Sequence, residues 1–192
     1  MAQEPERTSF LPRPLLAVAI GLPAVLAAGV AAVGLFLGTS ADTPATPSKG
    51  ETGPLALVPI PAPAAKSDTC TTLLSKLPMQ LLSSGATLPR RDLATPAPDG
   101  ALAWGDATHE PLVLRCGLDR PRELTPTATL RVISDVQWLE VADGENATWW
   151  VVDRPTYIAL TVPSDAGTGP LQDISTTIRD TLPSQQVDTQ GQ

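Results

Sequence analysis

An uncharged, apolar run near the N-terminus constrains this chain more than any other feature. Residues 15–37 contain no charged side chain over 23 consecutive positions. As an α-helix this run would be about 34 Å long, which is sufficient to cross a hydrocarbon core of roughly 30 Å. A helix also satisfies its backbone N–H and C=O groups internally, as lipid requires, and Pro23 is expected to kink it without breaking it. The run predicts one transmembrane helix over residues 15–37, so a lipid bilayer is the first expected partner.

The charges that flank the apolar run predict its orientation. Arg7 and Arg13 precede it, and no lysine or arginine follows it closely. Because basic residues favour the cytoplasmic side, residues 1–14 are expected in the cytoplasm and the C-terminal part outside a plasma membrane that the chain crosses once. The alternative is a signal peptide cleaved after Ala41, which would give a secreted protein. Signal-peptide cores are usually about 7–15 residues long, so the length of the run favours a retained anchor.

Residues 38–67 differ in composition from their neighbours. They are rich in proline and contain no aromatic residue, so they are expected to form an extended, loosely packed linker. Within it, residues 55–60 form a short apolar patch that could contact either the membrane surface or the domain. Residues 68–183 have the length and composition of one globular domain, and the polar residues 184–192 are expected to be disordered.

The pattern of apolar residues predicts an α+β domain. Asp68 is expected to cap a helix, because a carboxylate at that position accepts hydrogen bonds from the first turn. Residues 83–100, with several prolines and glycines, are expected to form a loop. The predicted strands are 101–104, 112–118, 136–141, 148–152 and 156–162, and a second amphipathic helix is predicted over 170–182. The expected fold is an antiparallel sheet of four or five strands, with a helix before it and a helix after it packed on one face.

The two cysteines of the chain, Cys70 and Cys116, are expected to form a disulfide. Cys70 lies on the apolar face of the first predicted helix, and Cys116 lies on the same strand face as Leu112 and Leu114. An exported pair is expected to oxidise, and the bridge would attach the helix to the sheet with a stabilisation of about 4 kcal/mol in the chain-entropy model. Redox-active pairs are usually close in sequence, so a structural disulfide is favoured over a redox pair or two free thiols.

A search for catalytic and metal-binding motifs gives no candidate. His109 is the only histidine, and the sequence has no Gly-x-Ser-x-Gly elbow and no phosphate-binding glycine-rich loop. Asp143, Glu145 and Asp153 are close in sequence but lack the spacing of a calcium loop. No catalytic residue, cofactor or metal ligand is assigned, and the chain is not expected to be an enzyme, although two carboxylates brought together by the fold could hydrolyse glycosides. The net charge of −7 does not favour nucleic acid as a partner.

Four residues are candidates for contact with a partner: Trp149, Trp150, Arg120 and Arg122. The adjacent tryptophans would point to opposite faces of a strand, so one is expected in the core while the other is exposed or covered by a loop. An exposed tryptophan often contributes strongly to a binding surface. The arginines could bind an anionic group or form ordinary surface ion pairs with the acidic residues beside them.

Short motifs along the domain give the sequence a family resemblance. The most specific is Leu114-Arg115-Cys116-Gly117. The others are Asp68-x-Cys70, Leu77-Pro78, Arg90-Arg91, Ala103-Trp104-Gly105, Arg120-Pro121, Val136-Gln137-Trp138 and Asp153-Arg154-Pro155-Thr156-Tyr157. With these motifs, residues 68–183 and the N-terminal span resemble a family of actinobacterial membrane proteins of unknown function. The resemblance implies a single-span or secreted envelope protein and brings no assigned activity, so no catalytic residue is carried over.

Taken together, these features predict a membrane-anchored, extracytoplasmic module without enzymatic activity. We expect it to bind or assemble with an envelope protein or a cell-wall component. The alternative hypothesis is a small-molecule binding or sensing domain with a pocket between the sheet and the helices. An envelope hydrolase is the third hypothesis.

Overall fold

The structure, a computed structural model, describes residues 53–190. The predicted transmembrane helix over residues 15–37, the N-terminal residues 1–14 and the first part of the predicted linker lie outside the described residues. No helix within residues 53–190 combines the length and the apolar character that crossing a bilayer requires.

The described chain forms one antiparallel sheet and two helices. Helix α1 is Asp68–Lys76 and helix α2 is Gly169–Thr181. The strands are β1 (Gln80–Ser83), β2 (Ala86–Arg91), β3 (Ala101–Trp104), β4 (Leu112–Leu118), β5 (Leu130–Ile133), β6 (Val136–Asp143), β7 (Asn146–Val151) and β8 (Tyr157–Pro163). Their order in the sheet is β1-β2-β3-β4-β8-β7-β6-β5, and all neighbours are antiparallel. The predicted α+β class is confirmed, but the sheet has eight strands and not four or five.

The additional strands belong to two tight hairpins. β1 ends at Ser83, β2 lies within the loop predicted over residues 83–100, and Ser84 and Gly85 join them with φ angles of 46° and 86°. β5 is joined to β6 through Ser134 and Asp135, with φ angles of 46° and 62°. Positive φ at both central residues is the geometry of a two-residue hairpin turn. Because a serine occupies the first position of each turn, neither sequence carries the Asn-Gly or Asp-Gly signal that usually predicts such a hairpin.

Helix α1 is capped by Ser67, whereas the sequence predicted Asp68 as the capping residue. The Ser67 Oγ accepts a hydrogen bond from the Cys70 N–H at 3.3 Å. Asp68 is the first residue of the helix, where its carboxylate lies near the positive end of the helix dipole. The shift of one residue leaves the buried face as predicted, with Cys70 and Leu73 in the core.

The main hydrophobic core lies between the sheet and both helices. Both helices pack on the same face, as predicted, and their core residues recur every three or four positions: Cys70, Leu73, Leu77, Leu171, Ile174, Ile178 and Leu182. Trp104 and Trp138 are fully buried there. Their indole N–H groups donate to the carbonyl of Pro78 and to the Ser175 Oγ, each at 2.9 Å. The two largest side chains of the core therefore have their polar atoms satisfied, as burial requires.

The predicted disulfide between Cys70 and Cys116 is confirmed. The two Cα atoms are 5.7 Å apart. Cys116 lies on the core face of β4 together with Leu112 and Leu114, and all three side chains are fully buried. The bridge attaches α1 to a central strand of the sheet.

Residues 53–67, called the strap below, lie against the other face of the sheet. Leu55 is 1% exposed and packs with Ala103 and Val113. The Leu55 N–H donates to the carbonyl of Asp92 at 2.8 Å. The second half of the predicted linker is thus packed on the domain, whereas its composition favours loose packing. The difference arises because one leucine of the apolar patch is buried against the sheet.

Candidate binding surface at the open edge of the sheet

The two edges of the sheet, β1 and β5, differ in how they are covered. At the β1 edge, the Leu82 N–H donates to the Asp173 Oδ2 of helix α2 at 3.4 Å. The start of α2 is so close that a Cβ added to Gly169 would lie 2.2 Å from the Leu82 carbonyl oxygen. Helix α2 therefore covers the backbone of β1, which is one of the ways by which proteins protect an edge strand.

The β5 edge is open in the described part of the chain. In a two-residue hairpin the residues that flank the turn are hydrogen bonded to each other, and the bonded pairs alternate along the strands. The pairing of Ile133 with Val136 and of Arg131 with Trp138 therefore turns the N–H and C=O groups of Leu130 and Val132 away from β6. Val132 is 67% exposed. This edge thus presents two backbone donors and two backbone acceptors beside an exposed apolar side chain.

An ion pair and a tryptophan lie next to the open edge, on the face that the helices cover. The Arg131 Nε is 2.9 Å from the Glu140 Oε2. The Arg131 guanidinium carbon is 5.9 Å from the centroid of the Trp149 ring, within the range of a cation–π contact. Glu140 and Trp149 face each other across β6 and β7. We call Arg131, Val132, Glu140 and Trp149 the edge patch.

The two adjacent tryptophans point to opposite faces of β7, as predicted. Trp149 is half-buried at the border of the main core. Trp150 is half-buried on the other face, where it packs in a smaller cluster with Tyr157 and Val187. Neither ring is fully buried: Trp149 borders the main core, and Trp150 is covered by the loop that carries Leu124, which is the alternative to exposure that the sequence left open. Trp149 is the one that contacts the open edge, through the Arg131 guanidinium of β5.

Arg120 and Arg122 are placed in the loop that follows β4. The Arg120 Nε donates to the carbonyl of Asp188 at 3.3 Å, and its Nη2 donates to the carbonyl of Leu124. Arg120 therefore ties this loop to the C-terminal segment, while Arg122 is exposed. The Gln185 N–H also donates to the Asp153 carbonyl at 2.8 Å. The described part of the tail predicted as disordered is thus attached to the domain by hydrogen bonds.

His109 lies in a polar turn with Asp106 and Thr108. The Asp106 Oδ1 accepts from the Thr108 N–H at 2.7 Å and is 2.9 Å from the His109 Nδ1. The Thr108 Oγ1 is also 2.9 Å from the His109 Nδ1. The hydrogen bonds from the Thr108 backbone and from the His109 ring hold the pKa of Asp106 far below its usual range. In a catalytic triad the histidine uses one ring nitrogen for the nucleophile and the other for the carboxylate. Here Asp106 and Thr108 both contact Nδ1, so Thr108 is not placed as the nucleophile of a triad.

Asp153 and Arg154 form a buried ion pair and not a metal site. Their side chains are 4% and 2% exposed, and the Arg154 Nη1 is 2.8 Å from the Asp153 Oδ2. Burial raises the pKa of Asp153, against the opposing effect of the hydrogen bond from the Gln137 backbone and of the Arg154 charge. Among the described side chains, no group of three or more His, Cys, Asp or Glu residues could hold a metal ion.

Fold and site together define a small, disulfide-bonded α+β domain with one covered and one open sheet edge. The chain belongs to the family described as "Protein of unknown function (DUF3515)", which matches residues 21–187. Searches of curated proteins and of solved structures found no match. The match confirms the part of the resemblance that concerns a family of unknown function, and the family carries no assigned activity.

Proposed function

We propose that this chain is a membrane-anchored, extracytoplasmic binding or assembly module without enzymatic activity. Its contact surface is the edge patch, and its partner is an extended segment of another protein. The predicted span over residues 15–37 supports the anchor. The disulfide between Cys70 and Cys116 supports export, because such bridges persist mainly in oxidising compartments.

The observation that carries the proposal is the contrast between the covered β1 edge and the open β5 edge. A row of unpaired N–H and C=O groups is a template for another β-strand. Only a backbone in the extended conformation matches both the donors and the acceptors of Leu130 and Val132, so the partner is a polypeptide and not a glycan. Trp149 lies on β7, two strands in from this edge, and its ring holds the Arg131 guanidinium that a partner strand would meet.

The charges at the edge select the partner segment. When Leu130 faces Val132 of a second copy, Arg131 faces its own counterpart directly, and like charges at that position are destabilising. Each copy also carries a net charge of −7, which adds repulsion. We therefore favour a different protein, with an acidic side chain beside Arg131 and an apolar side chain beside Val132.

The two other hypotheses receive less support from the described residues. A pocket between the sheet and the helices would need space where Trp104, Trp138 and Ile174 are 0% exposed. A hydrolase would need carboxylates that converge in a cleft. The carboxylate with a raised pKa, Asp153, is instead buried against Arg154.

Crosslinking in intact cells tests the proposal. A photo-reactive residue replaces Thr129, which is exposed beside β5, in the full-length chain; the control position is Val58, which is 47% exposed on the strap. We expect a distinct protein adduct from position 129 that is absent from position 58. Trp149→Ala is expected to weaken this adduct more than Trp150→Ala does.

A variant of the β5 backbone distinguishes strand addition from non-specific adhesion. Val132→Pro removes an outward N–H without removing a bond to β6, so the domain is expected to keep its melting temperature and to lose the adduct. Val132→Thr keeps the N–H and is expected to retain the adduct. Equal adduct formation in both variants would refute strand addition. Capture of glycan, or of a second copy of this chain, would refute the choice of partner.

A further inference from the structure

The strap turns one side to the sheet and the other side outward. Leu55 is 1% exposed against the sheet, whereas Val58 and Ile60 are 47% and 42% exposed. The backbone between them is held in place, because the Arg115 Nη2 donates to the Val58 carbonyl at 2.8 Å. The two exposed aliphatic side chains therefore belong to a segment that is fixed on the domain.

A second segment, residues 93–98, widens this apolar surface. It lies beside the strap, since Leu93 pairs with Leu55 in a parallel β-bridge. A shallow groove of about 350 Å³ separates the two segments, and all of its lining residues are apolar except Asp99. We call residues 56–63 and 93–98 the strap face.

The strap face is free of charge in an acidic protein. The chain has 20 acidic and 13 basic residues, and none of them lies in the strap face. At its border, the Lys66 Nζ is 3.0 Å from the Asp99 Oδ2, so the two charges compensate each other. A carboxylate that approaches hydrocarbon pays a large desolvation penalty. The strap face is thus a side of the domain that can approach a bilayer without bringing unpaired carboxylates to it.

The length of the connecting chain favours a bilayer as the surface that the strap face meets. The predicted span ends at residue 37 and the strap begins at Gly53. Residues 38–52 reach no more than about 55 Å, because an extended residue spans at most about 3.6 Å, and a compact domain of this size is about 35–40 Å across. Gly53 lies two residues before Leu55, which packs on the same side of the sheet as the strap face. Because the contact would be made by an already attached domain, a small apolar area is sufficient.

We propose that the strap face rests on the bilayer that residues 15–37 cross, with Val58 and Ile60 in the headgroup region and both helices turned away from it. Apolar side chains of interfacial segments enter about 5–10 Å into the boundary between headgroups and acyl chains. The inference rests on the proposed membrane anchor and is independent of the partner proposed for the edge patch. It assigns the apolar run 55–60 to both of its expected contacts, with Leu55 on the domain and its outward side chains on the membrane.

Lipid quenching in vesicles tests the contact. The full-length chain is reconstituted in phosphatidylcholine, or in an equal mixture with phosphatidylglycerol, with a fluorescent residue at Ala97 of the strap face or at Thr176 of α2, both exposed positions. The quencher is a lipid that carries a spin label near its headgroup. We expect several-fold stronger quenching at position 97 than at position 176 with both lipid compositions. Equal quenching at the two positions would overturn the proposed orientation.

Substitutions in the strap test whether its two exposed aliphatic side chains make the contact. Val58→Ser with Ile60→Ser is expected to lower the quenching at position 97 to the level measured on α2. Met79→Ser with Leu82→Ser is the matched control, because these apolar side chains are 68% and 55% exposed outside the strap face, and it should leave the quenching unchanged. Thermal melting checks that both variants are folded. Unchanged quenching in the folded strap variant would contradict the inference.

Flotation of the vesicles distinguishes this inference from the anchor on which it rests. A chain that does not float with the vesicles refutes the anchor, and the inference with it. A chain that floats but is not quenched at position 97 refutes the inference alone. A photo-reactive residue at Ile60 in intact cells examines the other possible occupant: a distinct protein adduct there would show that a protein covers the strap face, and would overturn the assignment to lipid.

Discussion

The backbone N–H of Ala64 donates to the carbonyl of Gly117 across 3.0 Å, which fixes the strap on β4. Gly117 has a φ of 85°, and a Cβ at this residue would lie 2.3 Å from the Ala64 carbonyl carbon. Two separate constraints, backbone conformation and space, therefore require glycine here. This accounts for the glycine of the Leu-Arg-Cys-Gly motif.

Gly117→Ala is expected to destabilise the domain by at least about 2 kcal/mol, since it adds a backbone clash to an unfavourable φ. Chemical denaturation measures the change. Gly85→Ala is the matched control, because Gly85 has a φ of 86° but nothing within 4 Å of the added Cβ. It should cost about 1 kcal/mol from conformation alone. Equal losses in the two variants would show that the strap moves away from Gly117 without cost.

Removal of the disulfide is expected to destabilise the domain by about 2–5 kcal/mol. The variant is Cys70→Ser with Cys116→Ser, compared with the wild type with and without reductant by denaturation. The reduced wild type should approach the stability of the double variant. The exported, non-reduced protein should also give no thiol labelling in its native state, and two reactive thiols there would contradict the bridge.

Ser175→Ala is expected to cost about 1–3 kcal/mol, because the buried Trp138 indole N–H loses its acceptor. The measurement is a double-mutant cycle by thermal or chemical denaturation. Trp138→Phe removes the donor, so the serine substitution should cost less in that background than in the wild type. Additive effects of the two substitutions would show that the hydrogen bond has no role in stability.

Asp106→Asn is expected to lower stability at neutral pH and to have a diminishing effect in acid. The Thr108 and His109 hydrogen bonds keep the pKa of Asp106 below its ordinary value of 3.8. A carboxylate with a lowered folded-state pKa stabilises the fold above its ordinary pKa, and this contribution is lost as the pH falls towards the lowered value. Denaturation midpoints of both proteins between neutral pH and pH 3 or below measure the effect. A difference that does not change with pH would contradict it.

The periodicity of apolar residues predicted the strands and helices whose buried face is determined by residues close together in the sequence. The alternation of Leu112, Leu114 and Cys116 placed these side chains on the core face of β4, and the spacing of Leu171 and Ile178 placed the buried face of α2. The disulfide followed from this face of β4 and from the apolar face of α1, which carries Cys70, together with export. Each of these predictions depended on local spacing, which tertiary contacts reinforced.

The other parts depended on contacts between distant segments. The burial of Leu55 exists only because Ala103 and Val113 form a surface for it, and no property of the strap sequence indicates that surface. Trp149 was recognised as a candidate, but its contact partner Arg131 lies on an edge strand only because β4 pairs with β8 and leaves β5 at the border of the sheet.

The Leu-Arg-Cys-Gly segment has a consequence for which changes in length the chain can tolerate. Cys116 is bonded to α1 on one face, while Arg115 donates to the Val58 carbonyl of the strap at 2.8 Å from the other. One inserted or deleted residue in β4 would exchange its two faces. It would therefore detach a helix and the strap in a single event. Insertions between related sequences are accordingly expected at the exposed hairpin turn around Gly144, and not within β4.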